Sequence, residues 1–337
     1  MSKFSLDVLQ KYVFPHFPCN DPDVVLGAVF GEDVALTRVG EDILVSHLDP
    51  IVGAVNDIGW LAVHVACNDV ATSGAPPRWI QLLALVPSEN DLALLEKIMC
   101  DVERAANEIG VSVIGGHTGY SGALSRPLVA VTALGTLSDR KPVLTSGARP
   151  GDHILISKGI ALEGTAILAS DFSKAAFKLG LSEADLADAT ELFNYVSVIP
   201  EAVLMAESGA SAMHDVTRGG LLETLLEISR LSAVAIEVNY DKILILDVVA
   251  RFSEAFQFDP LKMISSGTLA AAIPPEHLDD AKRRLDEEDI PFAEIGVAVP
   301  GTGVTIQMAD EIRAYQEIHA EEDELARMWT LYDPDEE

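Results

Sequence analysis

Cysteine is scarce in this chain of 337 residues, which has only Cys19, Cys67 and Cys100. The number is odd and no two of them have CxxC spacing, so the sequence indicates neither a disulfide framework nor a cysteine-based zinc site. We expect buried or inert thiols. Cys67 lies beside an acidic motif and is the cysteine of most interest.

Aromatic and basic residues are also scarce, and no long apolar run occurs. Aromatics make up 6% of the chain against 49% hydrophobic residues, so the core is expected to be mainly aliphatic. No run approaches the roughly 20 apolar residues that span a bilayer, and residues 1–7 lack the apolar region of a signal peptide. We therefore expect a soluble, cytoplasmic protein without a membrane partner.

Acidic residues outnumber basic residues by 53 to 23, which gives a formal net charge of -30. This balance argues against nucleic acid as a partner, because phosphate backbones are bound by basic surfaces. A phosphate-handling enzyme with this charge would need metal cations to bring ATP in.

The length suggests two domains, and strands alternate with helices in both halves, which indicates an α/β (mixed α+β) fold. A turn at Arg149–Asp152 marks the expected boundary, giving domains 1–148 and 149–337. The patterns predict strands at 43–48, 80–86, 111–114, 128–134, 153–156, 234–238, 268–273 and 292–299, and helices at 57–73, 92–109, 163–170, 182–195, 200–208, 221–228 and 276–288.

The segment His214–Gly220, with sequence HDVTRGG, runs directly into the helix that begins at 221. Its glycines allow a tight bend and a close approach to a ligand. Free N–H groups at the helix start, with Arg218 beside them, predict an anion site. Two other interpretations remain open: His214 could cap the helix, and Arg218 could form a structural ion pair.

Four acidic or polar clusters fall in the first domain, at the edges of predicted elements: Gly31–Ala35, His47–Asp49, Asn68–Asp69 and Gly115–Thr118. A single aspartate after a strand is usually a turn or cap residue. Hard oxygen ligands from several elements are, however, what Mg²⁺ needs when it bridges phosphates. Asp69 lies in a predicted helix of small apolar residues, where a carboxylate is costly unless it is paired or metal-bound.

Together these motifs resemble the aminoimidazole-ribonucleotide synthetase superfamily, whose members include that purine enzyme, thiamine-monophosphate kinase, selenophosphate synthetase and the HypE hydrogenase-maturation proteins. The matching segments, in chain order, are GEDVA at 31–35, the strand ending at Asp49, DIGW at 57–60, NDVATSGA at 68–75, GGHT at 115–118 and HDVTRGG at 214–220. The resemblance covers nearly the whole chain. The sequence at 214–220, together with SSGT at 265–268, is most similar to the HypE branch.

The resemblance implies a PurM-like two-domain fold, in which two N-terminal domains pair across a homodimer into a β-barrel flanked by C-terminal α/β domains. It also implies ATP and Mg²⁺ as cofactors. The γ-phosphate is transferred to an oxygen of the substrate, and the phosphorylated compound is either the final product or an activated amide. Carried over by position, the metal ligands are Asp33, Asp49 and Asp69; the nucleotide-binding residues are Gly115, Gly116, His117, Thr118, Thr217 and Gly219; the catalytic residues are His214, Asp215 and Arg218.

The chain departs from this pattern at two places. Many relatives carry an acidic residue at His117, and histidine is a poor Mg²⁺ ligand, so either a ligand is lost or His117 has another task, such as contacting phosphate. HypE proteins end in a cysteine that carries the carbamoyl group. This sequence ends in 332–337, YDPDEE, so we expect that the self-modifying HypE reaction does not run here in its usual form.

The preferred function is ATP-dependent phosphoryl transfer to, or activation of, a small carboxamide or phosphate compound by a HypE-related maturation protein. A maturation partner protein is among the expected partners. A kinase of thiamine-monophosphate type is the alternative. A nucleotide-binding scaffold without its own chemistry is the third, and the set of Asp33, Asp49 and Asp69 weighs against it.

Overall fold

The computed structural model describes residue 4 and residues 6–52, 56–318 and 322–332. The chain forms two compact units, Met1–Pro142 and Val143–Glu337. The turn at which the sequence predicts the boundary is present, since the Arg149 backbone N–H donates to Asp152 Oδ2 over 2.8 Å. It lies a few residues inside the second unit. The acidic residues 333–337, expected to form a frayed tail, lie outside the described residues.

The described residues of the first unit form one six-stranded sheet and three α-helices. The strands are β1 (Val24–Leu26), β2 (Ala35–Val39), β3 (Asp42–Val52), β4 (Pro77–Val86), β5 (Ser112–Tyr120) and β6 (Leu128–Thr136), and the helices are α1 (Leu6–Tyr12), α2 (Ile58–Thr72) and α3 (Leu92–Ile109). The strand order is β1-β2-β3-β6-β4-β5. All neighbouring pairs are antiparallel except β4 and β5, which are parallel.

Helix α2 packs on this sheet and against α3, and every one of its residues is buried. Its sequence of small and aliphatic residues suits such a position, because a helix that is apolar all round has no face for solvent. Helix α3 is amphipathic and ends where the sequence predicts, at Gly110 in the left-handed conformation with φ +74°.

The second unit contains a seven-stranded sheet of order β13-β12-β9-β11-β7-β10-β8. Its strands are β7 (His153–Ser157), β8 (Ala212–Asp215), β9 (Val234–Asn239), β10 (Leu269–Ile273), β11 (Phe292–Pro300), β12 (Gly303–Gln307) and β13 (Ile312–Tyr315), and its helices are α4 (Leu162–Asp171), α5 (Ser173–Lys178), α6 (Glu183–Thr190), α7 (Ile199–Glu207), α8 (Gly220–Ser232), α9 (Asp247–Phe256), α10 (Pro275–Glu287) and α11 (Glu324–Leu331).

Two hydrophobic clusters stabilise the second unit. One lies between the sheet and α8 and is aliphatic, as the composition predicts. The other joins α4, α5, α6 and α9, with Met328 of α11 contributing. The mixed α/β class predicted from the sequence is confirmed. None of the helices within the described ranges is long and apolar enough to cross a membrane.

Candidate functional site

In the first unit, His47 of β3 connects the two segments that carry Asp33 and Asp69. Its Nε2 lies 3.1 Å from Asp69 Oδ2 on α2, and its Nδ1 is hydrogen-bonded to the backbone carbonyl of Asp33, in the loop before β2. Asp69 is only 5% exposed. The sequence analysis assigned no role to His47, although its position two residues before Asp49 on a strand was a usable signal.

Asp49 shares the His47 face of the sheet. Residues two apart on a strand point to the same side, and His47 reaches α2, so Asp49 also faces the side on which α2 packs. The prediction that the strand ends at Asp49 is wrong, because β3 continues to Val52. Asp49 is thus held by regular β-pairing with Val131 of β6 rather than by a loop.

The segment Gly115–Thr118 was expected to follow a strand, but it lies inside β5. The pairing runs across the sheet from Asp49 through Val131 and Leu82 to Gly116, which places Gly116 on the Asp49 face, about 14 Å away over three strand spacings. Thr118 shares that face. His117 pairs with Leu83 and lies on the opposite face, away from Asp49.

Gly116 has a backbone reason to be glycine. Its φ is +147°, and a Cβ there would lie 1.9 Å from the carbonyl oxygen of Leu82. The approach between β4 and β5 therefore excludes any side chain at this position, and it follows a bulge in which Ile114 has no partner in the register.

The first unit supplies three carboxylates of the kind that a hard divalent cation binds. Asp49 faces the side of the sheet on which α2 packs, Asp69 lies on α2, and His47 links Asp69 to the backbone of Asp33. Carboxylate oxygens are the ligands that Mg²⁺ prefers. Burial and the Asp69 charge raise the pKa of the Cys67 thiol, one helical half-turn from Asp69, to about 12, so this thiol is protonated at neutral pH. Of the expected buried or inert thiols, Cys67 is buried, whereas Cys19 and Cys100 are exposed.

In the second unit, Asp215 ends the short strand β8, which the sequence analysis missed. Asp215 is fully buried, and neither carboxylate oxygen has a hydrogen-bond donor among the described residues. Within this unit, His214 Nδ1 lies 3.6 Å from Oδ1. Such a carboxylate is costly to bury, which marks Asp215 as a group that awaits a proton, a cation or a ligand donor.

His214 is held at both ring nitrogens. Nδ1 lies 2.7 Å from the backbone carbonyl of Asp215, and Nε2 lies 3.0 Å from Glu227 Oε2 on α8. His214 therefore does not cap α8; Gly219, with φ +81°, occupies that position. Both nitrogens face acceptors, an arrangement that is satisfied when both carry protons.

The expected anion site at the start of α8 is largely absent, because the fold uses its N–H groups. Gly220 N donates to Thr217 O, and Leu222 N donates to Leu261 O, each over 3.0 Å. The close approach at Gly220 is likewise to the chain itself, since a Cβ there would lie 2.5 Å from Leu261 O. Gly220 therefore has a packing reason to be glycine, and its approach to a ligand stays a prediction.

Arg218 is half-buried beside this turn. Its Nη1 lies 3.6 Å from Asp323 Oδ2, and its side chain is 28% exposed. The ion-pair interpretation is therefore correct in part, but the pair is long. Within the described residues Arg218 Nε has no hydrogen-bond acceptor, so the guanidinium retains capacity for an anion.

The comparisons with known proteins extend over both units. Residues 31–137 match the AIR synthase related protein, N-terminal domain, and residues 149–309 match the AIR synthase related protein, C-terminal domain. The chain is 30% identical over 261 residues to a putative hydrogenase expression/formation protein of Methanocaldococcus jannaschii, covering 76% of this chain and 74% of that protein. It is 33% identical over 239 residues to the carbamoyl dehydratase HypE of Azotobacter vinelandii, covering 69% and 67%.

Solved structures show the same fold. The hydrogenase maturation protein HypE in complex with ATP is similar with a TM-score of 0.69 and 25% identity, over 93% of this chain and 94% of that one. A HypE–HypF complex gives 0.71 and 23%, over 84% and 93%. The thiamine-phosphate enzyme AaThiL, complexed with AMPPCP and TMP, gives 0.70 and 20%, over 87% and 93%.

Proposed function

The chain belongs to the AIR synthase related family, and from this premise we propose that it is an ATP-dependent enzyme of HypE-related maturation type. It binds Mg-ATP and transfers the γ-phosphate to, or activates, an oxygen of a carboxamide or phosphate substrate. Residues 1–148 supply the metal and nucleotide residues, and residues 149–337 supply the groups that act on the acceptor. ATP in the complex of a similar protein supports the cofactor.

The observation that carries this proposal is the arrangement around Asp69. A buried carboxylate lies in a helix of small apolar residues, 3.1 Å from His47, while Asp49 occupies the same face two residues from that histidine. Asp33, Asp49 and Asp69 would hold Mg²⁺, which when bound neutralises phosphate charge. Phosphoryl transfer depends mainly on such positioning and neutralisation. Gly116 and Thr118 would contact the nucleotide from β5.

In the second unit we assign different roles to the motif residues. Asp215, buried and without a donor, accepts a hydrogen bond or proton from the acceptor group. His214 orients Asp215 and does not take the proton itself, because both of its ring nitrogens are already engaged. Arg218 stabilises developing negative charge, with Thr217 and Gly219 at its side as nucleotide contacts.

His117 remains a proposed phosphate contact, and its position separates it from the metal ligands. It lies on the sheet face opposite to Asp49, so within one first unit it cannot join the Asp49 and Asp69 carboxylates. The substitution of histidine for an acidic residue here therefore leaves the three-aspartate set complete.

We also propose that the protein is a cytoplasmic homodimer that pairs through the first unit. On the face of β3 opposite to Asp49, Leu48 and Val52 are 62% and 41% exposed. Strand β5 pairs only with β4 in the described residues, and it exposes Val113, Ile114 and Tyr120. An apolar sheet face beside an open edge is suited to closure by a second copy. We also propose a maturation partner protein, because a relative at 30% identity is a putative hydrogenase expression/formation protein.

Two relatives at 30% identity or more are a hydrogenase expression/formation protein and a carbamoyl dehydratase, which favours the carboxamide acceptor over thiamine phosphate. The AaThiL likeness, at 20% identity, concerns the fold alone. A scaffold without chemistry is disfavoured by Asp215, a buried carboxylate that has no hydrogen-bond donor among the described residues, since such a group is costly unless it is paired or serves a ligand.

The test has two arms. ATP binding is measured by calorimetry with and without Mg²⁺, and ADP release is then measured with carbamoyl compounds, primary amides and thiamine phosphate. The double variant Asp49→Asn, Asp69→Asn should lose Mg²⁺-dependent binding, whereas Asp101→Asn, a buried carboxylate of α3, should keep it. Mg-ATP binding without turnover on every acceptor would refute the enzymatic role. Normal binding by the double variant would refute the metal assignment.

A further inference from the structure

We propose that His47 is a positioning residue that orients the Asp69 carboxylate for the metal ion, an inference that rests on the proposed Mg-ATP function. Nothing in the family comparison assigns a role to this side chain. The assignment comes from its contacts to two of the three segments that carry the metal ligands.

The contacts fix the imidazole from both ends. Nδ1 donates to the Asp33 carbonyl, which sets the plane of the ring. Nε2 is then directed at Asp69 Oδ2, 3.1 Å away. A ring held at one nitrogen presents the other in a defined direction, which is how outer-sphere partners orient metal ligands.

The consequence for Asp69 is that one oxygen is engaged and the rotation of the carboxylate is fixed. Because Nδ1 carries the proton donated to the Asp33 carbonyl, Nε2 donates to Oδ2 when the ring carries both protons, and we assign Oδ1 to the metal. The carboxylate is 5% exposed in a helix of small residues, so its contact with His47 lies inside the protein. His47 and Asp49 project from the same strand face, so β3 supplies one ligand and the group that aligns another.

If Asp69 lies between His47 and the metal ion, His47 does not contact the nucleotide itself. Its removal should therefore weaken the response to Mg²⁺ while leaving the phosphate contacts in place. Loss of an outer-sphere partner typically lowers metal affinity by about 10- to 100-fold.

Three variants separate the contact made by Nδ1 from the contact made by Nε2. His47→Gln places an amide N–H near the Nε2 position and can still donate to Asp69. His47→Asn places one near Nδ1 and can donate only toward the Asp33 carbonyl. His47→Ala does neither. The full-length protein is titrated with Mg²⁺ at fixed ATP, with binding followed by calorimetry, and Mn²⁺ binding is followed by electron paramagnetic resonance without nucleotide.

We expect His47→Ala and His47→Asn to need about tenfold more Mg²⁺ for half-maximal ATP binding, with a parallel loss of Mn²⁺ affinity. His47→Gln should stay within about threefold of wild type. The matched control is His64→Gln, because His64 also lies in the first unit, is 3% exposed and pairs with a carboxylate, Glu108 Oε2 at 3.1 Å. It should change the melting temperature without changing the Mg²⁺ requirement.

Two results overturn the proposal while leaving the proposed function intact. One is wild-type Mg²⁺ dependence in His47→Ala. The other is an equal rise in His47→Gln and His47→Asn, which would mean that the histidine acts through folding alone. If wild-type protein shows no Mg²⁺-dependent ATP binding at all, the proposed function and this inference fail together.

Discussion

The buried ion pair between Lys158 and Glu201 offers the sharpest test of the second unit. Lys158 Nζ lies 2.7 Å from Glu201 Oε1 and also donates to the carbonyls of Ser197, at 2.5 Å, and Tyr195, at 3.0 Å. The side chains are only 9% and 2% exposed. The pair joins the end of β7 to α7, and Ser157 Oγ donates to the same carboxylate over 3.0 Å.

Glu201→Gln removes one charge and keeps the shape. At an effective dielectric constant of about 20, unit charges 2.7 Å apart attract by about 6 kcal/mol. Part of this offsets the cost of burying both groups, so removing one partner should lower the free energy of unfolding by about 3–5 kcal/mol. For a domain of this size the melting temperature should fall by about 10 °C.

The pH dependence follows from the lysine. Burial lowers the pKa of Lys158 from 10.5, and the attraction to Glu201 opposes that fall. In the window between the lowered folded pKa and 10.5, the unfolded chain binds more protons, so stability rises with pH. In Glu201→Gln the pKa of Lys158 in the folded protein falls further, so the pH range over which stability rises begins at a lower pH. The stability gap between wild type and Glu201→Gln should therefore narrow as pH rises toward 10.

The assay is urea and thermal unfolding followed by circular dichroism between pH 7 and 9.5. The matched control is Glu287→Gln, which breaks an exposed pair with Arg283 on α10 and should leave the midpoint close to that of wild type. If Glu201→Gln shifts the midpoint no more than Glu287→Gln, or if its gap to wild type widens with pH, the reasoning about the buried pair is wrong.

Three further predictions test the site residues and their surroundings. Because its pKa is about 12, Cys67 should resist a thiol reagent at pH 8, so two of the three thiols should react in native protein and the third only after denaturation; three fast thiols would contradict the burial. Gly220→Ala, at φ +66° and with a clash against Leu261 O, should lower the free energy of unfolding by at least about 2 kcal/mol. Gly110→Ala, at φ +74° in open space, should lower it by about 1 kcal/mol. Equal losses in urea unfolding would contradict the packing argument. Asp215→Asn should reduce ADP release by about 100-fold or more with little change in melting temperature, and near-normal turnover would exclude it from catalysis.

Local patterns predicted those elements whose signals are themselves local. Helix α3 begins and ends within a residue of its predicted limits, because its apolar period and Gly110 act over a few residues. Helix α6 begins at the start of the predicted helix 182–195, where Ser182 and Asp185 form a reciprocal capping box. Strand limits were less accurate: β3 and β5 run past Asp49 and through Gly115–Thr118, because sheet pairing, rather than the residues themselves, sets where a strand stops.

The candidate site divides in the same way. The residue types and their order identified Asp69 as a costly carboxylate from the apolar helix around it. Asp215 was assigned a role only from the resemblance, because the short strand β8 that contains it was not predicted. Their partners could not be read from the chain, because the Asp69 partner is 22 positions away on a strand whose face was undetermined. The start of α8 shows the converse. From the sequence its N–H groups are expected to be available to a ligand, but the carbonyl of Leu261, some 40 residues later, accepts a hydrogen bond from one of them. A motif therefore specifies which groups could bind a ligand, and the surrounding fold decides which of those groups remain for it.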